Sequence, residues 1–322
     1  MTIQFGLSAP FRGPLARPEP LRRIAEAADR LGYGALTVSD HLVVPRQVAP
    51  NYPYSESGEF AWTADGSTDC MEQFTLLAWL AAATTQVKLL TSVIVVPHRN
   101  PVFMAKSLAT TDVLSGGRVI AGIGAGWMRE EFEALNLPDF DARGRVTDEY
   151  LRVMKSCWTD ERANFNGEFF RIADAAADPK PVQSPHPPIW VGGESGPALR
   201  RTVALGDGWY PFGTNPRFRM DTVAAFAARR DRLFAMAEEA GRDPSTIALA
   251  YNCPFHAETA ATGADGRRRP FTGSPEQRAA DISEWAAAGV GTLMVNVMAT
   301  ELEPMLERME AFATEVMPLI GG

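Results

Sequence analysis

The sequence predicts an α/β fold: a (β/α)8 TIM barrel with insertions after strands 2, 4 and 7. Three observations carry that prediction. Strand-like and helix-like segments alternate from end to end, the pattern of a parallel sheet built from β-α units. The 322 residues are long for one ordinary domain but suit one barrel with insertions, so residues 1–322 are read as a single domain. The long connections all follow strand ends, on the face where barrels carry their active sites.

The first strand is read at residues 3–8, where Ile3, Phe5 and Leu7 alternate along the chain. A helix follows with Leu21, Ile24, Ala28 and Leu31 on one face, and it ends at Gly32. Residues 35–39, 87–96 and 118–124 supply strands two to four; 189–191, 209–212, 247–251 and 292–297 supply the rest. Amphipathic helices lie near 198–205, 221–240 and 275–288. The last helix, 301–316, stripes Leu302, Met305, Leu306, Met309 and Phe312 along one side, a pattern read as core. Eight strands each followed by a helix favour a closed barrel over an open doubly wound sheet.

The three insertions span 42–68, 139–188 and 254–270. The first is rich in proline, glycine and aromatics (Tyr52, Tyr54, Phe60, Trp62), as expected of a loop that closes over an apolar substrate. The second holds a helix at 148–158 and a hairpin around Phe165-Asn166-Gly167-Glu168-Phe169.

Composition narrows the function. A net charge of −8 opposes nucleic acid and anionic membrane surfaces. The one basic run, Arg267, Arg268 and Arg269, reads as a solvated loop tip. No apolar run approaches the roughly 18 residues of a membrane span, and the start of the chain lacks signal-peptide character. Three widely spaced cysteines suggest a reducing, cytoplasmic setting. Four histidines without metal-ligand spacing predict no metal site.

Three constellations could carry chemistry. Ser39-Asp40-His41 ends the second strand, where a carboxylate beside an imidazole can tune it for acid-base work. The same residues would also suit a turn cap and a loop hydrogen bond. Gly122-Ile123-Gly124-Ala125-Gly126-Trp127 lets a flat ligand or phosphate approach the backbone, or packs a strand against its helix. Its spacing departs from the dinucleotide-binding Gly-x-Gly-x-x-Gly. Gly192-Gly193-Glu194-Ser195 opens a helix, and forms either a phosphate cradle or a plain tight turn.

Taken in order, these runs resemble one family. Ser39-Asp40-His41, Thr91-Ser92-Val93-Ile94-Val95-Val96-Pro97, the Gly122–Trp127 run with Glu130-Glu131 behind it, Pro188-Ile189-Trp190-Val191-Gly192-Gly193 and Gly206-Asp207-Gly208-Trp209 look like the luciferase-like monooxygenase superfamily. The resemblance covers nearly the whole chain and is closest to the coenzyme F420-dependent oxidoreductase branch.

It implies a flavin or deazaflavin ring lying across the strand C-termini. His41 and Asp40 would be the catalytic pair, with Asp40 orienting His41 or touching the cofactor. Ser92, Val93, Gly124, Gly126, Gly192, Gly193, Glu194 and Ser195 would bind the cofactor, with a non-prolyl cis peptide at Ser92–Val93. Trp127, Glu131 and Trp62 would line the substrate pocket. Relatives that oxidise a sugar phosphate carry a glutamate where this chain has Trp127, which disfavours that substrate and hints at a flatter or more apolar one.

The expected activity is F420-dependent hydride transfer to or from a small organic substrate. The alternatives are a monooxygenase using reduced FMN, and a flavin-binding protein without turnover. The expected partners are a small-molecule substrate, a separate flavin or F420 reductase, and a second copy of the chain in a homodimer.

Overall fold

β1 (Gln4–Ser8) leads into α1 (Pro18–Arg30), whose first turn holds Pro18 and whose exit turns at Gly32 in the left-handed region, φ +77°. β2 (Ala35–Val38) gives way to a long connection and then α2 (Gln73–Ala83). β3 (Lys88–Thr91) and β4 (Ile94–Val95) are the two halves of the predicted strand 87–96. They part at Ser92–Val93, and the peptide bond there is cis, as the family resemblance implies. α3 (Pro101–Ser115) starts on an Asn100 cap that accepts from Val102 and Phe103, and stops at left-handed Gly116.

β5 (Val119–Gly124) is followed by the short α4 (Arg129–Ala134) and by α5 (Arg143–Thr159), five residues longer at its start than predicted. β6 (Ala163–Asn166) and β7 (Arg171–Ala175) form the expected antiparallel hairpin. β8 (Ile189–Gly192), α6 (Gly196–Leu205), β9 (Gly208–Tyr210) and α7 (Val223–Glu239) come next. β10 (Ala248–Asn252), α8 (Pro275–Ala287), β11 (Thr292–Val295) and α9 (Leu302–Ala311) close the order. The predicted final helix 301–316 ends in a wider π turn over Phe312–Val316. This computed structural model describes residues 3–60, 69–253, 256–263 and 266–320.

The sheet closes on itself. β1 pairs in parallel with β2 and with β11; β2 with β3, β3 with β5, β5 with β8, β8 with β9, β9 with β10 and β10 with β11. The result is an eight-stranded parallel barrel ringed by helices, the predicted fold. Side chains alternate along each strand. Leu36, Leu89, Ala121, Val191 and Leu293 pack outward with the helices, while Ala35, Leu90, Ile120, Trp190, Tyr210, Ala250 and Met294 fill the interior. Gly6 on β1 makes room for this filling: a Cβ there would lie 2.3 Å from Met294 Sδ. A filled interior leaves the strand C-termini as the place for a site.

The basic run is solvated only in part. Arg267 is exposed, whereas the half-buried Arg268 guanidinium meets Asp281 of α8 through two bonds of 2.7 and 2.6 Å. Asp281 also accepts the Phe271 N–H, so this ion pair ties the third insertion to the barrel wall. Among the described residues no helix is long and apolar enough to cross a membrane.

Candidate active site

The residues singled out in the sequence gather around the C-terminal mouth of the barrel, but their pairings differ from those expected. Asp40 and His41 leave β2 in different directions. The Asp40 carboxylate is fully enclosed and takes a bidentate pair from Arg99 at 2.7 and 2.8 Å, plus the Val95 N–H at 2.9 Å. Arg99 also reaches Glu72 at 2.9 Å and lies over the Phe74 ring. Asp40 therefore anchors the strand beyond Ser92–Val93. It does not orient His41, because its oxygens face Val95 and Arg99.

The carboxylate that His41 meets is Glu131. Nδ1 of His41 lies 2.8 Å from Oε2 of Glu131, while Oε1 accepts from the N–H groups of Leu42 (2.8 Å) and Val43 (3.3 Å). Glu131 is 1% exposed, so it sits beneath the mouth and not on its surface. Burial pushes its carboxyl up, but the His41 bond, the nearby imidazoles and the Leu42 N–H outweigh this and hold it below the usual glutamate range. His98, buried in the turn after β4, brings Nδ1 to 3.8 Å of Oε1; among the described residues neither of its ring nitrogens has a hydrogen-bond partner. Burial lowers the proton affinity of His98 and favours its neutral form.

Glycines shape the floor of the mouth. Val93 projects over β5 and β8: a Cβ on Gly124 would come to 2.7 Å from its Cγ2, and one on Gly192 to 3.1 Å from its Cγ1. Ser92 Oγ lies 3.0 Å from the hydroxyl of Tyr210, which accepts from Asn252 Nδ2 at 3.1 Å. Gly126 adopts φ +85°, and its missing side chain leaves space for Phe132 and Val95.

On the opposite side, Gly193 turns the chain at φ +98°, and Ser195 caps α6 by accepting from the Ala198 N–H at 3.4 Å. Glu194 points inward and is 1% exposed, accepting from the Phe212 N–H and from Asn215 Nδ2, both at 2.8 Å. Burial raises its carboxyl above the usual range despite those donors. Arg229 stands behind the turn and donates to the Glu194 carbonyl at 2.8 Å.

A wall of aromatic rings covers one side. Tyr52 and Phe60, from the first insertion, each set a ring centroid 5.0 Å from that of Trp127, and Tyr54 lies 4.9 Å from Phe212. Glu130 of α4 accepts the Ala49 N–H at 2.8 Å, and Glu56 pairs with Arg219. Trp62 falls outside the described residues. Among those described, no group of three or more His, Cys, Asp or Glu residues is placed to hold a metal ion.

Sequence reasoning missed Arg99, Tyr210, Asn252 and Phe212. A usable signal existed for the last three, since Tyr210 and Phe212 fall within the predicted strand 209–212 and Asn252 directly follows the predicted strand 247–251, toward the active face. Nothing local to Arg99 marks it, because its partner Asp40 is 59 residues away in the chain.

A closed parallel barrel with polar groups and glycines at its C-terminal mouth is the arrangement in which barrel enzymes carry their active sites. Residues 3–291 match the family model for luciferase-like monooxygenases, so the chain belongs to that family of oxidoreductases. It is 34% identical to an uncharacterised protein of Mycobacterium tuberculosis over 219 residues, 68% of this chain and 72% of that one. It is 33% identical to an FMNH2-dependent dimethylsulfone monooxygenase of Pseudomonas putida over 51% of this chain and 46% of that one. The fold is shared with the coenzyme F420-dependent tetrahydromethanopterin reductase of Methanopyrus kandleri, at a TM-score of 0.76, 16% identity and 99% of each chain.

Proposed function

We propose that this chain is an F420-dependent oxidoreductase that moves a hydride between the deazaflavin and a small, apolar organic substrate. The observation that carries the reading is the seat built by Val93 over Gly124 and Gly192. Three small or branched apolar groups make a smooth floor at the mouth, with Ser92 and Tyr210 as a polar edge. A planar ring would lie on such a floor, and side chains at the two glycines would collide with Val93 and push it out of place.

Gly192, Gly193 and Ser195, at the start of α6 with Arg229 behind them, would hold the cofactor phosphate. Asp40 would act at one remove, keeping the floor in register through Val95. When bound, F420 supplies the hydride chemistry itself. His41 would hold the proton that the substrate gains or loses alongside the hydride. Tyr52, Phe60 and Trp127, with Trp62, would border the substrate and exclude water. A separate reductase, a homodimer and a cytoplasmic location belong to the same reading.

The choice of F420 rests on the run of motifs, which is closest to the F420 branch, and the fold shared with the Methanopyrus kandleri reductase accords with it. A second reading, monooxygenation with reduced FMN, is favoured by the identity to the Pseudomonas putida enzyme. Turnover separates them. Under strict exclusion of oxygen, reduced F420 and a panel of apolar ketones and enones should return the oxidised cofactor's absorbance. Turnover that requires both oxygen and reduced FMN would overturn the F420 reading in favour of the second.

A further inference from the structure

We propose that Glu131 is a positioning residue that fixes the tautomer of His41 and seats the start of the aromatic loop with the same carboxylate. The inference rests on His41 acting as the proton-handling group of the proposed reaction. Its structural basis is independent of that reading. An ionised carboxylate only accepts hydrogen bonds. His41 Nδ1, 2.8 Å from Oε2, must therefore carry the proton, which leaves the lone pair on Nε2 whenever the ring is neutral. The other oxygen is committed to Leu42 and Val43, the first two residues of the loop that carries Tyr52, Tyr54 and Phe60.

The surroundings keep the charge on that carboxylate available. His98 faces it from the turn after β4 at 3.8 Å, beyond hydrogen-bond reach, and burial lowers its proton affinity. Cys70, whose thiol donates to the His41 carbonyl, is kept protonated by burial and by the nearby Glu131 and Asp40 charges. The Asp40 charge is matched by Arg99. One buried side chain, 90 residues from His41 in sequence, thus holds both the ring and the start of the loop.

The measurement is a ¹⁵N spectrum of the imidazoles in the full-length, cofactor-free protein at alkaline pH, where a neutral ring reports its tautomer. Only four histidines are present, and loss of one signal in His41→Gln identifies the relevant ring. The wild-type ring should carry its proton on Nδ1. In Glu131→Gln the amide oxygen can keep Leu42 and Val43 while the amide nitrogen faces His41, so the proton should move to Nε2.

Turnover of Glu131→Gln should fall by about 10²-fold or more, as for a mis-set acid-base group. A wild-type ring already protonated on Nε2 overturns the proposal without any variant. So does a Glu131→Gln protein whose His41 tautomer is unchanged. Because the spectrum needs neither cofactor nor substrate, its result stands apart from the success or failure of the F420 reading.

Discussion

His41→Ala is expected to lower turnover by roughly 10²–10⁴-fold, the usual cost of losing an acid-base group, with cofactor affinity changed far less. The imidazole stands at the end of β2, on the active face, and is held from below by Glu131. It also packs against Phe60 of the aromatic loop, with ring centroids 5.5 Å apart. Removing it leaves Glu131 buried with fewer donors, at a cost of about 1–3 kcal/mol. Unfolding curves therefore belong beside the kinetics. A variant that is folded, binds cofactor normally and retains full turnover would remove His41 from the chemistry.

The largest effect on stability is expected from Arg99→Ala. Asp40 is enclosed, and Arg99 supplies two of the three hydrogen bonds that its carboxylate accepts. Breaking a buried pair by deleting one partner leaves an uncompensated charge and typically costs about 3–5 kcal/mol. Here the cost also reaches the site, because Asp40 holds the Val95 N–H just beyond the Ser92–Val93 bend. Asp40→Asn should be milder, since an amide oxygen can still accept from Val95 and Arg99 keeps Glu72. Combining Arg99→Met with Asp40→Asn should recover much of the loss. Urea unfolding measures all three, and an Arg99→Ala loss below about 1 kcal/mol would mark the pair as effectively solvated.

What could be read in advance follows from periodicity. The eight barrel strands are short apolar runs bounded by Gly, Pro or polar residues, and their positions emerge from the sequence within a few residues. α2 and α3 do not emerge as amphipathic segments. The run Phe74-Thr75-Leu76-Leu77-Ala78-Trp79-Leu80 is apolar on nearly every side. α3 mixes buried Met104, Ala105 and Leu108 with exposed Phe103, Val113 and Leu114, so no single stripe marks its core face.

The site follows a different logic. The neighbours Asp40 and His41 invite a pair, but a chain leaving a strand sends successive side chains apart. Each then finds its partner far along the sequence, Arg99 for one and Glu131 for the other. The Gly124 and Gly192 positions were legible as places of close approach, whereas the group that approaches them, Val93, is set only by the closed barrel. Trp127 was legible as an aromatic at the mouth; its contacts with Tyr52 and Phe60 arise from how the first insertion folds back.

A ring-binding floor at the barrel mouth can be probed without knowing the substrate. The purified protein is titrated in parallel with F420 and with FMN, following absorbance and fluorescence of each. Saturable binding of F420, with FMN binding far more weakly or not at all, is the expected result. Saturable binding of FMN with none of F420 would contradict the cofactor assignment, and failure to bind either would contradict the floor itself.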